Sequence, residues 1–341
     1  MKRYRALLPG LVASIGMAVL ILDSKTAIAG ARDGVELCIK CVVPALFPFC
    51  LLSNYLTRSA VGTGAAFLRP IGKLCGIPNG SEGILITGLL GGYPVGAQCI
   101  AQSYAAGRIC KDDARRMLGF CNNAGPAFLF GMTALLFDSK TVPFLLWLIQ
   151  ILSAILTGVI LPEKSGNAVL PLVTAQQKPG QALQQSIKIT ASVCGWVVIF
   201  RTILAFAERW FLWMLPPVYS IIITGILELT NGYLRLDAID DPGLRFLLAS
   251  IFLAFGGICV MLQTLSATSD SGLDLGCYLS GKPIQTAISA GLSILISRFL
   301  FSGEAVKLPT ASVFLAAAGV ILFTAAGKRK IYSSIPGSSG V

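Results

Sequence analysis

Apolar runs long enough to cross a bilayer recur along this chain, and no other feature limits its fold so strongly. A hydrocarbon core about 30 Å thick requires about 20 consecutive, mainly apolar residues in a helix. Apolar runs cover residues 6–22, 41–56, 83–106, 117–137, 143–161, 189–206, 213–229, 244–265, 284–301 and 312–326. Of the 341 residues, 55% are apolar and only 13% are charged, where soluble domains carry about 25% charged residues. That balance excludes a soluble domain, a disordered chain and a coiled coil, and it leaves an all-α polytopic membrane protein.

The 27 Lys and Arg against 16 Asp and Glu give a net charge of +11. In a membrane protein such an excess sets topology, because basic loops stay on the cytoplasmic side; no nucleic-acid partner is expected. Lys2, Arg3 and Arg5 precede the first apolar run, which reads as an N-terminal anchor even though Ala27-Ile28-Ala29 resembles a signal-peptidase site. Histidine is absent, so the commonest general base and metal ligand is missing. Cys38 and Cys41 form a lone CxxC with no second half, and a structural reading is preferred to a zinc or redox site. There is no Walker loop, no G-x-S-x-G and no pair of intramembrane carboxylates. Neither an enzyme nor a cofactor is expected.

If every run were a simple crossing from a cytoplasmic N-terminus, the third would carry Arg108, Lys111, Arg115 and Arg116 outside, against the charge rule. Gly91-Gly92-Tyr93-Pro94 interrupts that run. Glycine and proline both weaken a helix, so a re-entrant hairpin is expected there. Broken backbone at membrane depth is tolerated where it is buried in protein or lines a cavity. A second hairpin, from the outer face, is expected between Pro216-Pro217 and Glu228-Leu229-Thr230-Asn231-Gly232. The loop after it holds Asp237, Asp240 and Asp241 with few basic residues. Residues 25–40, with Lys25, Arg32 and Lys40 among Asp23, Asp33 and Glu36, form the first outer loop in this reading. Both termini are then cytoplasmic.

The two halves resemble each other. Ile86-Thr87-Gly88-Leu89-Leu90 recurs as Ile223-Thr224-Gly225-Ile226-Leu227, and Arg115 with Gly125 is echoed by Arg245 with Gly256-Gly257. Each half reads as crossing, hairpin, crossing, crossing. An odd number of crossings inserts the second half upside down, the plan of transporters whose site lies between inverted repeats. The expected architecture is about eight full transmembrane helices plus two re-entrant hairpins in an inverted repeat. Its parts are an anchor over 1–33, a first repeat over 34–161, a polar linker over 162–185, an inverted second repeat over 186–303, and a helix with a basic tail over 304–341.

Candidate solute-binding residues follow from the breaks. Gly91, Gly92, Tyr93, Pro94, Gly96 and Gln98 surround the first hairpin tip, where half-helix ends expose backbone groups and a helix N-terminus carries about +0.5 charge. Glu228, Thr230 and Asn231 occupy the second tip, as solute ligands, as a proton carrier or as solvated interface residues. Asn122, Asn123 and Gly125 precede Pro126; the two amides either cap a broken helix or coordinate solute. Gly256, Gly257 and Gln263 hold the corresponding place in the second half. Arg201 lies inside an apolar run and either contacts solute, pairs with Glu208 or Glu228, or snorkels.

Pro44-Ala45-Leu46-Phe47-Pro48-Phe49, Gly91 to Ala97, Phe120-Cys121-Asn122-Asn123-Ala124-Gly125-Pro126-Ala127-Phe128 and Phe255-Gly256-Gly257, in this order, resemble the YlbJ-type sporulation integral membrane proteins. The resemblance covers residues 34–301. It implies a nucleoside-recognition (Gate) domain in each repeat and a fold like that of concentrative nucleoside transporters. It also implies export of dipicolinic acid from the mother cell across the outer forespore membrane. The expected partners are a small anionic solute and the lipid bilayer of the cell membrane or outer forespore membrane, with a homo-oligomer left open. A nucleoside or other small-solute transporter, and a non-transporting scaffold for spore-envelope assembly, are the alternatives.

Overall fold

A computed structural model describes residues 2–60, 66–161 and 179–301. The expected span at 312–326, the basic tail and positions 162–178 of the linker lie outside the described residues. Among the described residues the secondary structure is entirely helical. Helix α1 (Lys2–Leu22) leads into α2 (Ser24–Leu37), a π-helical turn (Cys38–Val42) and α3 (Val43–Ala60). A short α4 (Arg69–Leu74) precedes the pair α5 (Gly83–Leu90) and α6 (Val95–Ala105). The pair α7 (Lys111–Leu118) and α8 (Pro126–Thr133) follows, then α9 (Thr141–Ile160). Beyond the linker come α10 (Pro179–Trp210) and the pair α11 (Pro217–Leu227) and α12 (Leu229–Leu234). The last three are α13 (Pro242–Phe255), α14 (Gly257–Thr268) and α15 (Gly276–Leu300).

Five helical stretches are long and apolar enough to cross a membrane: Ser24–Ser53, Thr141–Ile160, Gly180–Trp210, Pro242–Ser271 and Gly276–Leu300. Their outer faces suit lipid. On α9, Phe144, Leu148, Leu152 and Leu156 recur every four residues and all remain exposed, a stripe that hydrocarbon tolerates and water does not. Where the sequence places Gly-Pro or Asn-Pro interruptions inside apolar runs, the helices break at 91–94 and 119–125. They break again at Glu228 and at Gly256.

Residues 25–40, read from sequence as an outer loop, are helical instead. Two glycines explain the difference. Gly30 and Gly34 lie one turn apart and sit against α10, where a Cβ on Gly30 would fall 2.8 Å from Ala205 Cβ and one on Gly34 2.8 Å from Val198 Cα. Small residues four apart let membrane helices approach this closely. The acids of this segment are paired: Asp33 with Arg201 at 2.8 Å, Asp23 with Arg209 at 3.2 Å, and Glu36 with Lys40 at 2.5 Å. The π-helical turn at the CxxC lets Cys38 Sγ donate to the Cys194 carbonyl at 3.6 Å.

Two arginines anchor the broken crossings. Arg116 on α7 is buried and donates to the carbonyls of Cys75 (2.6 Å), Gly76 and Gly158 (3.2 Å), with its guanidinium over the Phe120 ring. Arg245 on α13 does the same with the carbonyls of Ile239 and Leu136 and the Phe137 ring. Sequence reading took Arg116 as a cytoplasmic loop charge; it is a buried clamp on carbonyls that would otherwise be orphaned.

The α5–α6 pair straddles the break between α7 and α8 through backbone contact. A Cβ on Gly88 would lie 1.7 Å from the Cys121 carbonyl oxygen, and one on Gly96 2.3 Å from the same atom. Gly88→Ala is therefore expected to cost about 3 kcal/mol or more, because backbone cannot yield as a side chain can. Gly34→Leu is expected to separate α2 from α10 and cost about 1–3 kcal/mol. Thermal unfolding of the purified variants in detergent checks both, and midpoints equal to that of the unsubstituted chain would contradict the packing described.

Candidate functional site

Each helix break leaves N–H and C=O groups without intrahelical partners, and the side chains that answer them define the site. At the first break Gly92 adopts φ +80°, a conformation that glycine reaches without strain. It lies against Gly125 of the second break, where a Cβ would meet the Gly125 nitrogen at 3.1 Å. The Tyr93–Pro94 peptide bond is cis. Tyr93 is buried, and its hydroxyl lies 3.3 Å from the carbonyl oxygens of Leu253 and Ala254, the pair to which it donates at the C-terminal end of α13.

The adjacent amides of the second break are both fully buried. Asn122 Oδ1 accepts from the Ala97 N–H in the first turn of α6 at 3.3 Å, while its Nδ2 donates to Thr264 Oγ1 on α14 at 2.9 Å. Asn123 Nδ2 donates to the Phe120 carbonyl at 2.7 Å, and its Oδ1 accepts from Gln285 Nε2 on α15 at 2.8 Å. In this conformation the amides cap broken ends and bind the two halves of the chain together. At the third break Glu228 is buried, and its carboxylate accepts from the N–H groups of Thr230 (3.0 Å) and Asn231 (2.7 Å) and from Asn231 Nδ2 (2.6 Å). It caps α12. At the fourth break Gly256 has φ +80° and receives the ring of Tyr93, since a Cβ there would be 3.2 Å from Tyr93 Cζ. Gly257 lies against the carbonyls of Gly225 and Ile226.

Between these tips lies a cavity of about 70 Å³. Gly91, Gly92, Tyr93, Gly125, Glu228, Thr230 and Gln263, all singled out in the sequence, line it, with apolar side chains from α3 and α10 closing the remainder. A larger, glutamine-rich cavity of about 580 Å³ lies beside it, with Pro94, Gln98 and Gln102 in its wall, and reaches the surface at Gln184 and Lys188. Gln263 lines both. Gln98 Oε1 is buried without a hydrogen-bond partner among the described residues. Gly96, Asn122, Asn123, Asn231, Gly256 and Gly257 stand behind the cavity walls.

Arg201 is not brought to either cavity. It pairs with Asp33 and with Glu208 at 3.0 Å, and Glu208 also pairs with Arg235, so its charge is spent joining α2, α10 and the end of α12. The residue that sequence reading missed is Lys282. It lies in the second turn of α15, is buried, and donates to Asn122 O (2.5 Å), Gln285 Oε1 (2.8 Å), Tyr93 Oη (3.0 Å) and Asn123 Oδ1 (3.4 Å). An apolar run drawn from 284 leaves it in a loop. The signal available was a lysine before an in-helix proline with no acidic residue within a turn on either side.

No family model matches the chain, and no solved structure matches it. It is 21% identical over 337 residues to the sporulation integral membrane protein YlbJ of Bacillus subtilis (strain 168), covering 84% of this chain and 81% of that protein. The similarity and the ordered motifs agree, and the chain, a multi-pass integral membrane protein, is similar to the YlbJ-type sporulation proteins.

Proposed function

We propose that this protein carries a small anionic solute through the bilayer in sporulation, with dipicolinic acid leaving the mother cell across the outer forespore membrane as the solute and route. The observation that supports this reading best is the cavity enclosed by helix-break tips from both halves. In the proposed architecture α5–α6 and α11–α12 are re-entrant hairpins entering from opposite faces. The chain from α2 to α9 and the chain from α10 to α15 are then inverted repeats. Counting α1 and the segment at 312–326, eight crossings result, with both termini cytoplasmic.

Two features suit an anion. The N-terminus of α8 begins beside Gly125 in the cavity wall, and a helix N-terminus carries about half a positive charge. The one carboxylate in that wall, Glu228, is already engaged by backbone and amide N–H groups, which spread its negative charge over hydrogen bonds. The glutamine-rich cavity, with Lys188 at its rim, serves as the cytoplasmic approach, and Gln263 forms the boundary between approach and centre. A cavity of about 70 Å³ has room for only a few waters, at about 30 Å³ of liquid volume each, whereas ligand clefts measure about 300–1,000 Å³. This conformation is therefore too small to hold the solute, and a hairpin tip moves to admit it. Export of a dianion from a negative interior is favoured by about 2.3 kcal/mol per charge per 100 mV, so no coupling ion is required.

A neutral nucleoside is the second reading, favoured by Glu228 in the cavity wall. Proteoliposome flux separates the two. Dipicolinate efflux is expected to rise with inside-negative potential and to resist competition by nucleosides; flux indifferent to potential, with nucleoside competition, would favour the second reading. For topology, single cysteines at Arg108 and Asp240 are expected to label from opposite faces of the membrane, measured above the labelling of the unsubstituted chain. Labelling of both from one face would overturn the inverted repeat.

A further inference from the structure

Lys282 is buried with no acid beside it among the described residues. Its side chain is 2% exposed, and its four hydrogen-bond acceptors are a backbone carbonyl, two amide oxygens and a hydroxyl, all neutral. The rings of Tyr93 and Tyr278 lie 5.0 and 5.9 Å from Nζ. Among the described residues no carboxylate pairs with it; Glu36, Glu208 and every other ion-paired acid has a different basic partner. Neutral oxygens from the first two breaks and from α15 can solvate an ammonium, but they supply no counter-charge. A buried ion without a counter-ion is costly, and inside a membrane such a group marks a functional site by default.

We propose that Lys282 is the resident counter-ion of the transported solute, and that the acid missing from its shell is the anion held in the central cavity. The proposal rests on the anionic-solute reading above and deepens it by naming the group that selects charge. The geometry supplies the connection: Tyr93 lines the cavity, and its hydroxyl accepts from Lys282. In a low-dielectric interior a charge acts across one layer of side chain. The same ammonium is tied to the α7–α8 break through Asn122 and Asn123, and Tyr93 ties it to the end of α13. An anion that draws the ammonium toward the cavity therefore loosens contacts among the first hairpin tip and both broken crossings, so that solute charge and tip movement are coupled. A covalently attached cation of this kind takes the place that a bound metal ion would otherwise have beside an anionic solute.

The test uses the full chain in detergent or nanodiscs with two probes of equal shape, pyridine-2,6-dicarboxylate and its uncharged diamide. The unsubstituted chain is expected to bind the dicarboxylate at least about tenfold more tightly than the diamide. Lys282→Gln is expected to weaken dicarboxylate binding by about tenfold or more while leaving diamide binding within about twofold. Equal binding of the two probes by the unsubstituted chain overturns the proposal whatever the variant does. So does a Lys282→Gln chain that keeps full preference for the dicarboxylate, or one that unfolds at the same temperature as the unsubstituted chain yet loses both probes alike. If neither probe binds but a nucleoside does, the anionic-solute reading fails, and this inference fails with it. If dicarboxylate flux persists with Lys282→Gln unchanged, only the inference is lost.

Discussion

Hydrocarbon offers no hydrogen bonds, and every backbone group released where a helix breaks inside a membrane must find its partner within the protein. The rest of this structure depends on how that demand is met at four breaks. Asn122 receives an N–H of α6, Asn123 holds the Phe120 carbonyl, Glu228 accepts two N–H groups of α12, and Tyr93 reaches the last carbonyls of α13. Two of these four answers, those of Asn122 and Tyr93, cross from one broken element to another. The breaks are therefore mutually dependent, and the tips converge because each supplies what another lacks.

Glycine makes the convergence sterically feasible. Gly88 and Gly96 bring one pair of half-helices onto the Cys121 carbonyl, Gly225 and Gly232 let α11 and α12 touch backbone to backbone, and Gly256 opens a place for the Tyr93 ring. The result is a small chamber walled as much by main chain as by side chains. Such a wall presents fixed dipoles, and it moves only when a whole half-helix moves. The small chamber lies beside a larger polar one, with Gln263 shared between them.

Charge is divided between two uses. Most basic residues near the ends of the helices are fully occupied: Arg201, Arg209 and Arg235 by acids, Arg116 and Arg245 by carbonyls. These fasten α2 to α10 and clamp the broken crossings. Lys282, buried like Arg116 and like it facing neutral oxygens, differs in that one of them belongs to Tyr93 of the cavity wall.

The apolar runs, the broken backbone at Gly91–Pro94 and Asn122–Pro126, and the glycine pair at 256–257 were legible from residue type alone, because hydropathy and the inability of glycine and proline to sustain a helix are local properties. The helix over 25–40 was not read, although Gly30 and Gly34 carry its packing; their spacing has meaning only once Val198 and Ala205 lie opposite. Arg201 and Lys282 show the limit most clearly. Each is a lone basic residue in an apolar stretch, and only tertiary structure sets one against Asp33 and the other against Tyr93, more than 160 residues away in each case. Sequence by itself determined that the chain is a series of apolar helices and where glycine and proline interrupt them. Which broken ends meet, and which buried charge is left without a partner, was decided by long-range packing, because the energy of a buried polar group depends on what faces it and not on its neighbours along the chain.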